Sequence, residues 1–133
     1  LNAGENTIAL TKFWGWIDNE KVKQITDRWS IFALPSINED LPVSMLECMA
    51  QGIVPIASSV GGIIALLDNN KNGILCDSGD RNTFVKAISQ LVTSPEMYSK
   101  MSDNSRQLVK QNFLIGTVVD KYMAVYRGLD KKQ

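Results

Sequence analysis

Histidine is absent from the 133 residues. This removes the commonest general base and the commonest zinc ligand, and it excludes histidine-based catalytic triads within the chain. Cysteine is scarce: Cys48 and Cys76 both stand among apolar neighbours, where a thiol behaves as a small core hydrophobe. Two cysteines do not make a disulfide framework, and a reducing cytoplasm is the expected compartment. An excess of either charge is also missing. Lys plus Arg equals Asp plus Glu at 14 each, which argues against a nucleic-acid partner. No apolar run reaches the ~18 residues of a membrane span. The opening "LNAGENTIAL" lacks the basic and long apolar regions of a signal peptide, and it lacks an initiator Met, so a fragment is expected.

What remains is the composition of one ordinary globular domain with one core. "KFWGWI" (12–17) is predicted as a short strand ending in a turn. "DNEKVKQITDRWS" is predicted as a helix starting at Asp18 or Asn19, with Val22, Ile25 and Trp29 on its apolar, core-facing side. "IFAL" (31–34) reads as a buried parallel strand. "PVSMLECMAQG" reads as a helix with Pro42 at its first position and Gly52 as its stop. "IVPIAS" and "ILC" read as two more buried strands, separated by the short helix "IIALLD". Three helical patterns follow, at 81–93, 95–111 and roughly 117–127, and the tail "RGLDKKQ" is expected to fray. This alternation predicts an α/β fold: a Rossmann-like parallel sheet with helices on both faces. Phe13 and Ile17 flank Trp14 and Trp16, and one of the two tryptophans is expected in the core.

Two glutamates stand eight positions apart in "PSINEDLPVSMLECMAQG". Sheets of this class bind ligands outside the carboxyl ends of their strands, and "SINEDL" leaves the end of "IFAL". The helix beginning near Pro42 offers unpartnered N–H groups from Val43 and Ser44 onward, and its dipole favours an anion such as phosphate. Glu47 lies five residues after Pro42, roughly 7 to 8 Å along the axis. A carboxylate at that distance can take ribose hydroxyls while phosphate sits at the helix start. Glu39, on the other side of the phosphate position, can take hydroxyls beyond it. An acid near a helix start is also stabilising for dipole reasons alone, and spacing by itself does not separate these readings.

The flanking residues do separate them. "PSINEDLPVSMLECMAQGIVPIASSVGG" resembles the retaining glycosyltransferases of family 4, whose second domain carries PS-x-x-E-G-x-P-x-x-x-L-E-A-M-A-x-G-x-P-V-I-A-S-x-x-G-G. "FWGWI" is similar to the family's Phe-x-Gly-x-Val, and "NGILCDSGD" to its Asn-Gly-x-Leu-Val and Gly-Asp. The closing "NF…DKYMAVY" also matches, so the likeness covers residues 12 to about 127. The resemblance implies the GT-B fold of two Rossmann-like domains, with this chain a truncated second, donor-binding domain over 1–133 and a C-terminal helix and tail at 117–133. It implies Glu39 as the catalytic-site acid on the donor sugar. Asp40, Leu41, Pro42, Val43 and Ser44 would contact sugar and phosphate, Glu47 would hold the ribose, and Trp16, Ile17 and Asp18 would form the base pocket.

Asp40 stands where the family usually has Gly and brings a negative charge close to two phosphates. Cys48 replaces the usual Ala. "GG" at 61–62 is read as a turn that lets backbone approach the ligand. Asp80 in "DSGD" is read as a helix N-cap, and with no Asp-x-Asp pair no metal is expected, nor any cofactor besides the donor itself. The implied activity is transfer of a hexose-type sugar from a nucleotide-diphosphate donor to a glycan or lipid-linked acceptor hydroxyl, with retention of configuration. The implied partner is an N-terminal acceptor domain absent from these residues. Any membrane contact, peripheral at the inner face, would run through absent regions. The isolated chain is expected to be inactive and marginally stable. The alternatives are a nucleotide-sugar-binding subunit of a two-chain transferase and a degenerate, non-catalytic scaffold.

Overall fold

In the computed structural model, residues 10–130 are described. Nine elements follow one another: α1 (Asn19–Thr26), β1 (Ile31–Leu34), α2 (Val43–Gln51), β2 (Val54–Ser58), α3 (Ile63–Leu66), β3 (Ile74–Cys76), α4 (Arg81–Thr93), α5 (Pro95–Asn112) and α6 (Ile115–Asp130). The strands form a parallel sheet in the order β1-β2-β3, with Ala33 beside Ile56 and Ile56 beside Ile74.

Alternation of side chains along a strand divides the core in two. Phe32, Leu34, Ala57 and Leu75 face Met45 and Met49 of α2 and Ile63 and Leu66 of α3. Ile31, Val54, Ile56, Ile74 and Cys76 face Ala87 and Leu91 of α4 and Met101 of α5. The sheet is therefore covered on both faces, as the apolar runs predict, because a parallel strand has no solvated side to spare. Pro55 lies in the central strand, an unusual place for a residue without an N–H. The ladder to β3 begins only at Ile56, one residue later.

Helix ends are settled by specific partners. Gly52 takes the left-handed conformation (φ 84°) that stops α2. The carbonyls left over there are claimed by α5: Ser102 Oγ donates to Gly52 C=O at 2.6 Å, and Arg106 Nε and Nη2 donate to Gln51 C=O at 3.3 and 3.2 Å. Asp80 caps α4 by accepting the Asn82 N–H at 2.8 Å, as its position predicts.

Several sequence expectations need correction. Residues 12–17 form no strand, because aromatic alternation does not make a strand without a neighbouring ladder to join. Phe13 and Trp16 are each 87% exposed, and Trp14 is also exposed, with Lys12 Nζ 3.6 Å from its ring centroid. Neither tryptophan is in the core. The first helix ends at Thr26, so Trp29 falls in the loop beyond it and is 42% exposed rather than core. Among the described residues β1 is at the edge of the sheet, half-buried with Ala33 exposed. Pro42 is the N-cap of α2 rather than its first residue. The last helix starts at Ile115 and runs through Asp130, so residues 127–130 continue it; 131–133 and the opening 1–9 lie outside the described residues.

Candidate functional site

Three loops leave the carboxyl ends of the strands: 35–42 after β1, 59–62 after β2 and 77–80 after β3. They are tied together. The Gly62 N–H donates to Glu39 C=O at 3.3 Å, and Ser78 Oγ donates to Ser36 C=O at 3.3 Å. Ser36 Oγ donates to Glu39 Oε2 at 3.2 Å. Glu39 is thus half-buried and held through both backbone and side chain, with its second carboxylate oxygen left over.

The tie to the 61–62 turn depends on glycine. Gly61 has φ +47°, and a Cβ there would meet Glu39 O at 1.8 Å; one at Gly62 would meet Asp40 O at 2.3 Å. The backbone of this turn is packed against the Glu39–Asp40 main chain.

At the start of α2, Met45 and Leu46 donate to Pro42 C=O at 3.1 and 3.3 Å. The N–H groups of Val43 and Ser44 precede these bonds, and no side chain caps the helix. This end is suited to an anion. Pro42 is buried, whereas Asp40, Leu41, Val43 and Ser44 are exposed.

Beside this helix opens a cleft of about 710 Å³. Ser44, Glu47, Cys48 and Gln51 form its α2 wall, at helical spacing. Asn19, Val22, Lys23 and Thr26 form the α1 wall, and Trp29 and Phe32 complete the lining. The walls meet where Thr26 Oγ1 lies 3.0 Å from both Gln51 Oε1 and Lys23 O. A hydroxyl has one hydrogen, so a Gln51 amide turned to donate to Thr26, while Thr26 donates to Lys23 C=O, satisfies all three groups.

Of the residues singled out from sequence, Ser44 and Glu47 share this cleft. Glu39, Asp40, Leu41, Pro42 and Val43 lie in and after the tied loop beside it. Trp16 and Ile17 precede α1, and Asp18 is its N-cap without a side-chain cap bond. Asn19, Lys23, Thr26 and Gln51 were missed. Their signal is a matching polar stripe at i, i+4 and i+7 on the first helix facing one on the second.

Cys48 lines the cleft yet is only 4% exposed. Burial, and secondarily the Glu47 charge, push its thiol up to about 11. It is neutral at pH 7 and is no nucleophile there. A thiol whose folded pKa exceeds its unfolded value holds its proton more tightly when folded. Stability is then full below the ordinary thiol range and falls as pH rises through about 11. Cys48 is expected to contribute a loss of roughly 2 to 3 kcal/mol to urea unfolding between pH 8 and 11.5; Cys48→Ala is expected to remove that part of the slope, while burial of Cys76, whose thiol is also raised, keeps a remainder.

A family model described as "Glycosyl transferases group 1" matches residues 5–108. An uncharacterized glycosyltransferase of Haemophilus influenzae is 33% identical over 97 residues, covering 72% of this chain and 27% of that protein. The UDP-Gal:alpha-D-GlcNAc-diphosphoundecaprenol alpha-1,3-galactosyltransferase of Escherichia coli is 30% identical over 112 residues, covering 84% of this chain and 28% of its own length. The structure of sucrose-phosphate synthase from Thermosynechococcus elongatus superposes with a TM-score of 0.84 at 26% identity, over 96% of this chain and 32% of that one. The chain therefore spans under a third of the length of these proteins.

Proposed function

This chain belongs to the group 1 glycosyl transferases, with their GT-B type of Rossmann-like α/β fold, and from that premise we propose that it is the donor-binding half of a retaining transferase. The observation that carries the reading is the uncapped start of α2, flanked by Glu39 in the tied loop and Glu47 on the cleft wall. The diphosphate of the donor sits against the Val43 and Ser44 N–H groups, and the Ser44 hydroxyl adds to them. Glu47 accepts the ribose hydroxyls. Glu39, fixed by Ser36, accepts hydroxyls of the sugar, and Asp40 and Leu41 line the approach. Trp16, Ile17 and Asp18 belong to the base side.

In such a site the protein positions the donor and stabilises charge developing on the leaving diphosphate. The helix start supplies part of that stabilisation without a metal. Retention follows a front-face displacement in which the leaving phosphate takes the proton of the acceptor hydroxyl. The acceptor, a glycan or lipid-linked sugar, is held by a domain outside these residues. The exposed Ile115, Val119 and Tyr122 of α6 offer that domain an apolar surface. Without it the chain does not turn over. Among the described residues no helix is long and apolar enough to cross a membrane.

The test is calorimetric titration of the full-length protein with UDP-, GDP- and ADP-sugars, followed by assay of the transferred anomer. One nucleotide class is expected to bind, and the product to keep the donor's configuration. A well-folded protein that binds none of the three overturns the donor site. An inverted product overturns retention.

A further inference from the structure

Resting on the donor site proposed above, we propose that Asp40 sorts donor sugars by charge: the site favours a sugar carrying a protonated amino group and rejects one carrying a carboxylate. In that site Glu39 marks the sugar end, and the Val43 and Ser44 N–H groups at the uncapped start of α2 mark the phosphate end. Asp40 follows Glu39 directly, with its Cα about 3.8 Å from that of Glu39, and stands on the chain between the two ends.

The backbone of Asp40 is fixed and its side chain is free. Its carbonyl oxygen packs on the glycine turn, where a Cβ at Gly62 would stand 2.3 Å from it. The side chain is exposed and, among the described residues, makes no hydrogen bond or ion pair. Its φ is not positive, since among the described residues that conformation is taken by Asn70 and glycines. Position 40 therefore accepts any ordinary residue without strain. What aspartate adds there is a charge.

Nothing in the surrounding segments offsets that charge. The loops 35–42, 59–62 and 77–80 contain no Lys or Arg, and neither do α2 and α3. An ammonium on the sugar has three donors and no acceptor, and it gains a charge-assisted bond from a free carboxylate. A carboxylate on the sugar sets like charge against like and finds no cation in these segments. At about 5 Å, two unit charges change affinity roughly fourfold in the dielectric of water, and by more near a protein surface. Asp40 also repels the diphosphate, but the diphosphate is common to every donor. The ratio between sugars therefore isolates what Asp40 does at the sugar end.

The experiment uses the full-length protein as wild type, Asp40→Asn and Glu96→Gln. Calorimetry with UDP, GDP and ADP first finds the nucleotide that binds. The glucose, glucosamine, N-acetylglucosamine and glucuronic acid esters of that nucleotide are then titrated at pH 6.5, where the free amine is protonated. Wild type is expected to hold the glucosamine ester at least about fourfold tighter than the N-acetylglucosamine ester, and the glucuronic acid ester at least about fourfold more weakly than the glucose ester. Asp40→Asn is expected to shrink both ratios at least about threefold. Glu96→Gln makes the same change of charge on an exposed residue at the start of α5, beyond the far end of α4, and is expected to leave both ratios unchanged. Ratios near one in wild type, ratios unmoved by Asp40→Asn, or ratios moved equally by Glu96→Gln overturn the role of Asp40 and leave the donor site standing, because the bare nucleotide still binds. Failure of wild type to bind any of the three nucleotides overturns both. Asp40 is exposed, so circular dichroism of Asp40→Asn is expected to match wild type.

Discussion

Gly61→Ala is expected to cost roughly 2 to 4 kcal/mol of folding stability and to weaken donor binding with it. Two effects add. The residue sits at φ +47°, where a side chain is strained whatever the space around it. Its Cβ would also stand 1.8 Å from the carbonyl oxygen of Glu39, which is backbone and cannot rotate away as a side chain would. The 59–62 turn or the 35–42 loop must move, and the second of these carries Glu39. Gly79→Ala is the matched control. It has φ +80° but nothing within 4 Å of the added carbon, so it pays the conformational strain alone, about 1 kcal/mol. Urea unfolding of both variants separates the two contributions. If Gly61→Ala costs no more than Gly79→Ala, the close seating of Glu39 on the glycine turn is absent in solution.

Glu47→Ala is expected to weaken nucleotide binding by one to two orders of magnitude while leaving the fold intact. A hydrogen bond to a charged group is worth ~1.5–3 kcal/mol, which corresponds to roughly 10- to 150-fold in affinity. Glu47 is exposed on the cleft wall and is not part of either core cluster. Its removal is therefore expected to change unfolding free energy by no more than about 0.5 kcal/mol. Glu39→Ala gives the contrast: UDP alone is expected to bind nearly as before, whereas the sugar nucleotide loses the part of its affinity that comes from the sugar. Calorimetry with UDP and UDP-sugar on both variants measures the difference. Equal loss of both ligands at Glu39 would mean that this carboxylate touches the nucleotide or merely holds the loop.

The elements that could be read ahead of the structure share one property: their determinants are close in sequence. Gly52 ends α2 because a left-handed residue is needed there, and Asp80 opens α4 because its side chain reaches an N–H two residues on. The short apolar runs 31–34 and 54–58, bounded by turn residues and alternating with helical patterns, read as strands of a parallel sheet; 54–58 is buried throughout, whereas 31–34 is only half-buried. The motif around Glu39 and Glu47 was legible for the same reason, with loop, helix start and acids all within one turn-and-helix unit.

The failures were of the opposite kind. "KFWGWI" has the local look of a strand, yet a strand is completed by the hydrogen bonds of a neighbour, and no local pattern supplies one. Trp29 looked like core because helix spacing was carried three residues past Thr26, where α1 ends. The seating of Glu39 on Gly61 and Gly62 joins residues more than twenty positions apart. The Thr26–Gln51 contact spans 25, and the Arg106 bond to Gln51 C=O spans 55.

From residue 19 onward the sequence by itself thus determined which segments are helix and strand, where most of them stop, and which two acids bracket a helix start. Those outcomes follow from backbone sterics, hydrogen bonding and apolar period within a dozen residues. Only the tertiary structure decided how Glu39 is held, that α1 faces α2 across a cleft, and that Lys23 shares that cleft with Glu47. Such juxtapositions come from packing two helices and three loops around one sheet, and packing acts between surfaces that the linear order of residues leaves far apart.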